Sequence, residues 1–69
     1  MKGNPEERAV MLGLYITENN ATVRQAAAAF DISKSTVHKD VTQRLSQLNR
    51  TLFEETRKIL KKNKEERHI

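Results

Sequence analysis

Cysteine is absent from this chain, and proline, glycine and aromatic residues are scarce. Without cysteine there are no disulfides and no thiolate metal ligands, which fits a reducing compartment. One proline and two glycines argue against a loop-rich fold, and strand signals are nearly absent. No apolar run approaches the length of a membrane span, and we recognise no signal region at the start. The sequence therefore predicts an all-α protein, and we expect it to be cytoplasmic.

The short length and the charge limit the functions that the chain can have. Its 69 residues form one domain at most, with a small core of about four helices and no deep catalytic cleft. His38 and His68 are the only histidines, and no metal-ligand spacing or glycine-rich phosphate loop accompanies them. We therefore expect no enzyme, no cofactor and no small-molecule ligand. The formal net charge of +4 favours a polyanionic partner.

Residues 22–48 predict two helices joined by a tight turn. Thr22 and Gln25 have the spacing of a capping box, and the alanine run that follows allows another helix to approach closely. Asp31 suits the turn because it tolerates a left-handed backbone, and Ser33 then caps the second helix. This is the helix-turn-helix arrangement, although that motif usually has glycine at the position of Asp31.

The second of these helices has two unlike faces. One is an apolar stripe formed by Val37, Val41, Leu45 and Leu48. The other carries hydrogen-bond donors and short polar groups: Lys34, Ser35, His38, Lys39, Thr42 and Gln43. In the major groove, Lys34 or Lys39 would donate to guanine, and His38 would donate or accept. A solvated surface histidine is the alternative interpretation of His38.

Two further helices flank this motif and complete a single domain, residues 1–69. The first starts at Asn4 with proline after it and ends at about residues 19–20, and Gly13 in its middle indicates a close helix crossing. Its predicted inward face is Ala9, Leu12, Gly13 and Ile16. The last helix starts at Asn49 or Thr51. Its predicted inward side is Leu52, Phe53, Thr56, Ile59 and Leu60.

Met11, Leu14 and Tyr15 widen the apolar surface of the first helix beyond one stripe. They either cover the edges of a small core or form a contact surface for a second subunit or another protein. A helical protein-interaction module without specific DNA binding is therefore the alternative function.

Positive charge is concentrated in the last helix, over about residues 50–67. Such a helix is either a solvated, salt-bridged surface or a second element that contacts phosphates. The helix starts at Thr22 and Ser33 present free amides that suit phosphate oxygens. The expected phosphate contacts of the helix-turn-helix are Thr22, Arg24, Ser33, Thr36 and Thr42. We expect the acidic Asp40 to turn sideways, towards Arg44.

Three stretches of the chain carry a family resemblance: LYITENNATVRQAAAAF, ISKSTVHKDVTQRL and, at the end, EERHI. They resemble the stage III sporulation protein D family of endospore-forming bacteria, which are small helix-turn-helix transcription regulators. The similarity runs from about Glu7 to His68, and its most specific part is SKSTVHKD, residues 33–40. Family members continue beyond the position of His68 into a further basic stretch, which this sequence does not include.

The resemblance implies a regulator that activates some promoters and represses others in the mother cell during sporulation, on nucleoid DNA. It also implies that double-stranded DNA is bound without a dimer, so that a monomer is favoured and a dimer is the alternative. Carried over to this sequence, the base-reading residues are Lys34, Ser35, His38 and Lys39. The residues that contact the DNA backbone from the basic end are Lys61, Lys62, Lys64 and Arg67.

Overall fold

The computed structural model describes the backbone of residues 4–68 and the side chains of residues 4–62. The helices are α1 (Pro5–Asn19), α2 (Val23–Phe30), α3 (Lys34–Lys39), a π-helical turn (Asp40–Arg44), α4 (Leu45–Leu48) and α5 (Arg50–His68). The backbone stays right-handed helical from α3 through the π turn into α4, so these three form one composite helix, residues 34–48. The described residues include no strand, and the predicted all-α fold is confirmed.

Side-chain caps and left-handed residues fix both ends of α1. The Asn4 Oδ1 accepts a hydrogen bond from the Glu7 amide at 2.8 Å, which satisfies one of the free donors of the first turn. Asn20 ends the helix in the left-handed conformation, with φ of 53°. The Ala21 amide then bonds back to the Ile16 carbonyl at 3.1 Å, as in a Schellman ending.

The turn between α2 and α3 is built in the way that the sequence predicts. Thr22 and Gln25 form a reciprocal capping box, with both bonds at 3.0 Å. Asp31 adopts φ of 58° and ψ of 47°, which is the left-handed conformation that glycine usually supplies. The Ile32 amide donates to the Ala27 carbonyl at 3.0 Å, and this bond closes the end of α2. The arrangement is consistent with the predicted helix-turn-helix.

The start of α5 is also decided by a cap. The Asn49 Oδ1 accepts from the Leu52 amide at 3.0 Å, and α5 begins at Arg50. Of the two predicted starts, Asn49 is therefore the one that the chain uses. It separates α5 from α4 with a single extended residue.

The core lies where α1 meets the composite helix and α5. Its largest fully buried apolar side chains come from α1 and from the composite helix: Leu12, Ile16, Val37, Val41 and Leu45. The predicted inward face of α1 is confirmed, because each of its four residues is buried. On α5, Leu52 and Thr56 are buried, whereas Phe53, Ile59 and Leu60 pack partly exposed against the core.

Gly13 marks the close helix crossing that the sequence predicts. A Cβ atom on Gly13 would lie 2.7 Å from the Leu45 Cδ2 and 3.2 Å from two atoms of Leu52. The Thr56 hydroxyl reaches the Gly13 carbonyl at 3.4 Å. Glycine is required at this position because side chains of α4 and α5 already occupy the space where a Cβ atom would lie.

The π turn changes which residues of the composite helix face the core. The Leu45 amide donates to the Asp40 carbonyl, five residues back, so this turn holds one residue more than an α-helical turn. In a regular helix of about 3.6 residues per turn, Val41 would be followed inward by Arg44 and Leu48. The additional residue rotates Leu45 inward instead.

The predicted apolar stripe is therefore corrected at its end. Val37, Val41 and Leu45 are buried, with 0%, 2% and 0% of their surface exposed. Leu48 is 41% exposed, because the wide turn rotates it off the inward face.

The Gly13→Ala variant should be less stable than the parent chain. Alanine adds about 1 kcal/mol of helix propensity, but overpacking a filled core costs about 1–3 kcal/mol. Leu45 is fully buried, so its side chain would have to shift within a closely packed core. We expect a net loss of up to about 2 kcal/mol in a urea denaturation experiment, and a gain in stability would contradict the close crossing.

The Val37→Asp variant should abolish cooperative unfolding. The Val37 side chain is fully buried, and an isolated carboxylate there would lose its hydration without a partner. Ser35→Asp is the matched control, because Ser35 is exposed in the first turn of α3, where negative charge is favourable. A native circular dichroism melt for Val37→Asp would show that the inward stripe is assigned wrongly.

Candidate nucleic-acid interface

The outward face of α3 brings together the four predicted base-reading residues. These are Lys34, Ser35, His38 and Lys39, and all of them are exposed. Val37 lies on the opposite side and is fully buried. Because Val37 fixes the rotation of the helix, the polar face is held towards solvent as a regular array of donors.

The hydroxyls at the start of α3 are already occupied with one another. The Ser33 Oγ accepts from the Thr36 amide at 3.2 Å and shares a hydrogen bond with the Thr36 Oγ1 at 2.9 Å. The amides of Lys34 and Ser35 precede the first intrahelical donor, which is the Val37 amide bonded to the Ser33 carbonyl at 3.1 Å. The backbone is therefore the better source of anion-binding donors at this end of the helix.

The two phosphate candidates at the start of α2 differ in exposure. Thr22 is half-buried and its Oγ1 accepts from the Gln25 amide, so its hydroxyl proton is still free to donate. Arg24 is exposed. Thr22 is the N-cap of α2 and Arg24 is its second residue, so both lie at the end of α2 that is remote from the turn into α3.

The Thr42 hydroxyl, a predicted phosphate contact, makes a hydrogen bond within its own helix. It donates to the His38 carbonyl at 2.6 Å, a bond to the preceding helical turn. A hydroxyl has one proton, so the side chain has no second donor for a phosphate. The bond lies beside the π turn, where the regular backbone ladder is interrupted.

The basic end of the chain is described in part. Lys61 and Lys62 are exposed on α5. Lys64 and Arg67 belong to the same helix, but their side chains lie outside the described part of the structure.

A buried carboxylate behind the π turn was missed in part by sequence reasoning. Asp40 is 1% exposed, and its Oδ1 accepts from the Arg44 Nε at 3.2 Å, as predicted. Its Oδ2 accepts from the Arg8 Nε of α1 at 2.7 Å. An acidic residue next to Val41, at the edge of an apolar stripe, indicates that a basic partner is needed. Helical spacing alone does not identify that partner as Arg8.

The apolar residues of α1 that extend beyond its inward face differ in burial. Tyr15 is half-buried and meets the ring of Phe30 edge-on, with centroids 5.7 Å apart, so it covers an edge of the core. Met11 and Leu14 remain 44% and 43% exposed. Met11 also lines a shallow groove with Val10 and Leu48.

The described residues show neither a metal-ligand cluster nor a membrane-spanning helix. Within residues 4–62, whose side chains are described, no group of three or more histidine, cysteine or acidic residues is placed to hold a metal ion. None of the helices there combines the length and the apolar composition needed to cross a bilayer.

Comparison with known proteins decides the family. The family model described as stage III sporulation protein D matches residues 2–69. This chain belongs to the stage III sporulation protein D family. It is 47% identical over 64 residues to the stage III sporulation protein D of Bacillus subtilis (strain 168), covering 93% of this chain and 69% of that protein. No solved structure matches it significantly.

Membership in the stage III sporulation protein D family confirms the resemblance and associates the chain with sporulation. The stretch on which that resemblance most depended, residues 33–40, contains the whole exposed face of α3. It also contains Val37 and Asp40, which are buried behind that face. The same short stretch therefore carries both the outward donors and the residues that hold them in place.

In this stage III sporulation protein D family member, Asp40→Ala should strongly destabilise the fold. It would leave Arg8, whose side chain is 26% exposed, without its carboxylate, and breaking a buried ion pair costs roughly 3 kcal/mol or more. The control is Glu54→Ala, which removes an exposed partner of Arg50 at a cost of under about 1 kcal/mol. Equal losses in urea denaturation would contradict a structural role for the Asp40 pair.

Proposed function

We propose that this protein is a sequence-specific transcription regulator of sporulation that binds double-stranded DNA with the composite helix in the major groove. The observation that carries the proposal is the exposed polar face of α3, held outward by Val37, Val41 and Leu45. An α-helix fits the major groove, and this face has no large apolar side chain to exclude it from a polar groove.

The base-reading role falls to the exposed residues of α3. Lys34 and Lys39 would donate to the O6 and N7 of guanine, and His38 would donate or accept at a neighbouring base. Ser35 is short enough to accept or donate at either kind of base pair. Each good base contact contributes about 1–3 kcal/mol of discrimination.

The phosphate contacts would supply much of the affinity. Within the motif, Arg24, the Thr22 hydroxyl and the first amides of α3 support this role. Lys61 and Lys62 are exposed on α5, and we include Lys64 and Arg67 from the family resemblance. Since each neutralised phosphate releases counterions, binding should weaken steeply with salt.

The biological setting follows from the family. We propose that the protein acts on nucleoid DNA in the cytoplasm of the mother cell, activating some promoters and repressing others. It would bind as a monomer and would need neither an enzymatic activity nor a cofactor. The +4 net charge supports a polyanionic partner.

A protein-interaction function is the second candidate, and one observation favours it. Met11 and Leu14 are each more than two-fifths exposed, and such apolar surface suits a protein contact. Duplex binding that depends steeply on salt and exceeds binding to random DNA would favour the DNA-binding function over this one.

The double variant Lys34→Ala and Lys39→Ala should lose specific DNA affinity without unfolding. The duplex used should be the tightest binder selected from a random pool, because specificity can be measured only against a preferred site. With base contacts worth about 1–3 kcal/mol each, we expect affinity for that duplex to fall roughly tenfold or more in a fluorescence anisotropy titration.

The matched control is the double variant Arg57→Ala and Lys58→Ala, which removes the same charge from exposed positions of α5. It should lower binding to the selected duplex and to random DNA by similar factors, and so leave their ratio unchanged. If the α3 variant also left this ratio unchanged, sequence reading by Lys34 and Lys39 would be excluded.

A further inference from the structure

Arg44 occupies a position that the π turn creates. In a regular helix in phase with Val37 and Val41, residue 44 would face the core. The wide turn places Leu45 there, fully buried, and leaves the Arg44 side chain 44% exposed. Arg44 therefore lies on the flank of the composite helix, beside the face that carries Lys39 and Gln43.

The charge of Arg44 is not cancelled by its carboxylate partner. Asp40 is 2% exposed in its side chain and is shared by two arginines, Arg8 at 2.7 Å and Arg44 at 3.2 Å. Two guanidinium groups against one carboxylate leave one positive charge. Arg8 makes the shorter bond and is the less exposed of the two, so the surplus charge lies at Arg44 on the surface.

The contact with Asp40 also fixes the direction of the guanidinium. Arg44 uses its Nε for the bond to the Asp40 Oδ1. A guanidinium carries five N–H donors in a rigid plane, so a bond made through Nε leaves the fork formed by the two terminal nitrogens for another acceptor. Oriented donors of this kind suit the bidentate recognition of a phosphate.

A helix in the major groove meets phosphates along its flanks. The groove is about 12 Å wide, and a helix with its side chains is roughly 10–12 Å across. The outward face then reaches base edges, while residues on each flank face the sugar–phosphate strands. The flank of Arg44 is one such position.

We propose that Arg44 contacts a DNA backbone phosphate and that Asp40, held by Arg8, is the positioning residue that aims it. The inference rests on the proposed DNA binding and adds a residue to that interface. It also gives the buried carboxylate behind the π turn a role in binding besides its role in the fold.

Arg50 provides an internal comparison. Its Nε bonds to Glu54 at 3.3 Å across one helical turn, as Arg44 bonds to Asp40, but the Arg50 pair is exposed at 79% and 56%. The pair is also balanced in charge, one arginine to one carboxylate. Arg50 therefore matches Arg44 in residue type and bonding while lying outside the composite helix.

The experiment compares Arg44→Gln with Arg50→Gln in the full chain. Glutamine keeps an N–H donor for the carboxylate and removes the charge, and circular dichroism melts establish that both variants are folded. The dependence of the duplex binding constant on salt is measured by anisotropy for the parent and both variants. Losing one phosphate contact should reduce the slope of log K against log salt by about 0.9 in Arg44→Gln, with no change in Arg50→Gln.

The positioning role of Asp40 is tested with Arg44→Lys. Lysine keeps the charge, so the salt slope should stay near that of the parent, but its ammonium lacks the planar fork that Asp40 orients. We expect severalfold weaker binding at fixed salt. Parent-like affinity in Arg44→Lys would overturn the positioning role.

The experiment distinguishes a failure of the proposed DNA binding from a failure of the Arg44 contact alone. If the parent chain bound duplex DNA without salt dependence or specificity, the proposed function itself would be wrong. If the parent chain bound steeply and specifically while Arg44→Gln kept the full slope, only the Arg44 contact would be overturned.

Discussion

The close packing of Leu45 against Gly13 is the constraint on which the rest of the structure depends. With 2.7 Å between the Leu45 Cδ2 and the place of a Gly13 Cβ, α1 and the composite helix have one relative position at this crossing. Leu45 reaches this place only because the π turn adds one residue before it. The same turn leaves Leu48 on the surface and Arg44 on the flank, so one local departure from α-helical geometry decides which residues are inside and which are available to a partner.

The Asp40 cluster fixes the same helix by a different kind of force. The burial of an apolar side chain such as Leu45 has no preferred direction, whereas a buried carboxylate must find its cations within hydrogen-bond distance. Arg8 supplies this from α1, and Arg44 supplies it from within the composite helix. Removing charged groups from water is costly, and such clusters are weak evidence for net stability. Their effect here is directional, since they connect the rotation of the outward face of α3 to the position of α1.

Much of the fold could be predicted from local signals in the sequence, whereas contacts between residues distant in the sequence could not. The caps at Asn4, Thr22, Ser33 and Asn49 and the left-handed Asp31 could be read from the sequence, because each is decided within a few residues. The outward positions of Lys34, Ser35, His38 and Lys39 followed from helical spacing. The π turn could not be read, because the packing of Leu45 against α1 decides it. Leu48 was therefore placed inside, and Arg8 was missed as the second partner of Asp40.

The π turn also gives the composite helix one place where a single residue could be deleted without changing which residues face the core. Deleting one residue at a regular position of a helix rotates everything that follows by about 100° relative to what precedes. Deleting one between Val41 and Leu45 would convert the π turn into an α-helical turn, and Leu45 would then keep the inward phase set by Val37 and Val41. Variation in length among natural relatives is thus compatible with an unchanged core at this turn, whereas in α3 the same deletion would rotate the polar face relative to the buried stripe.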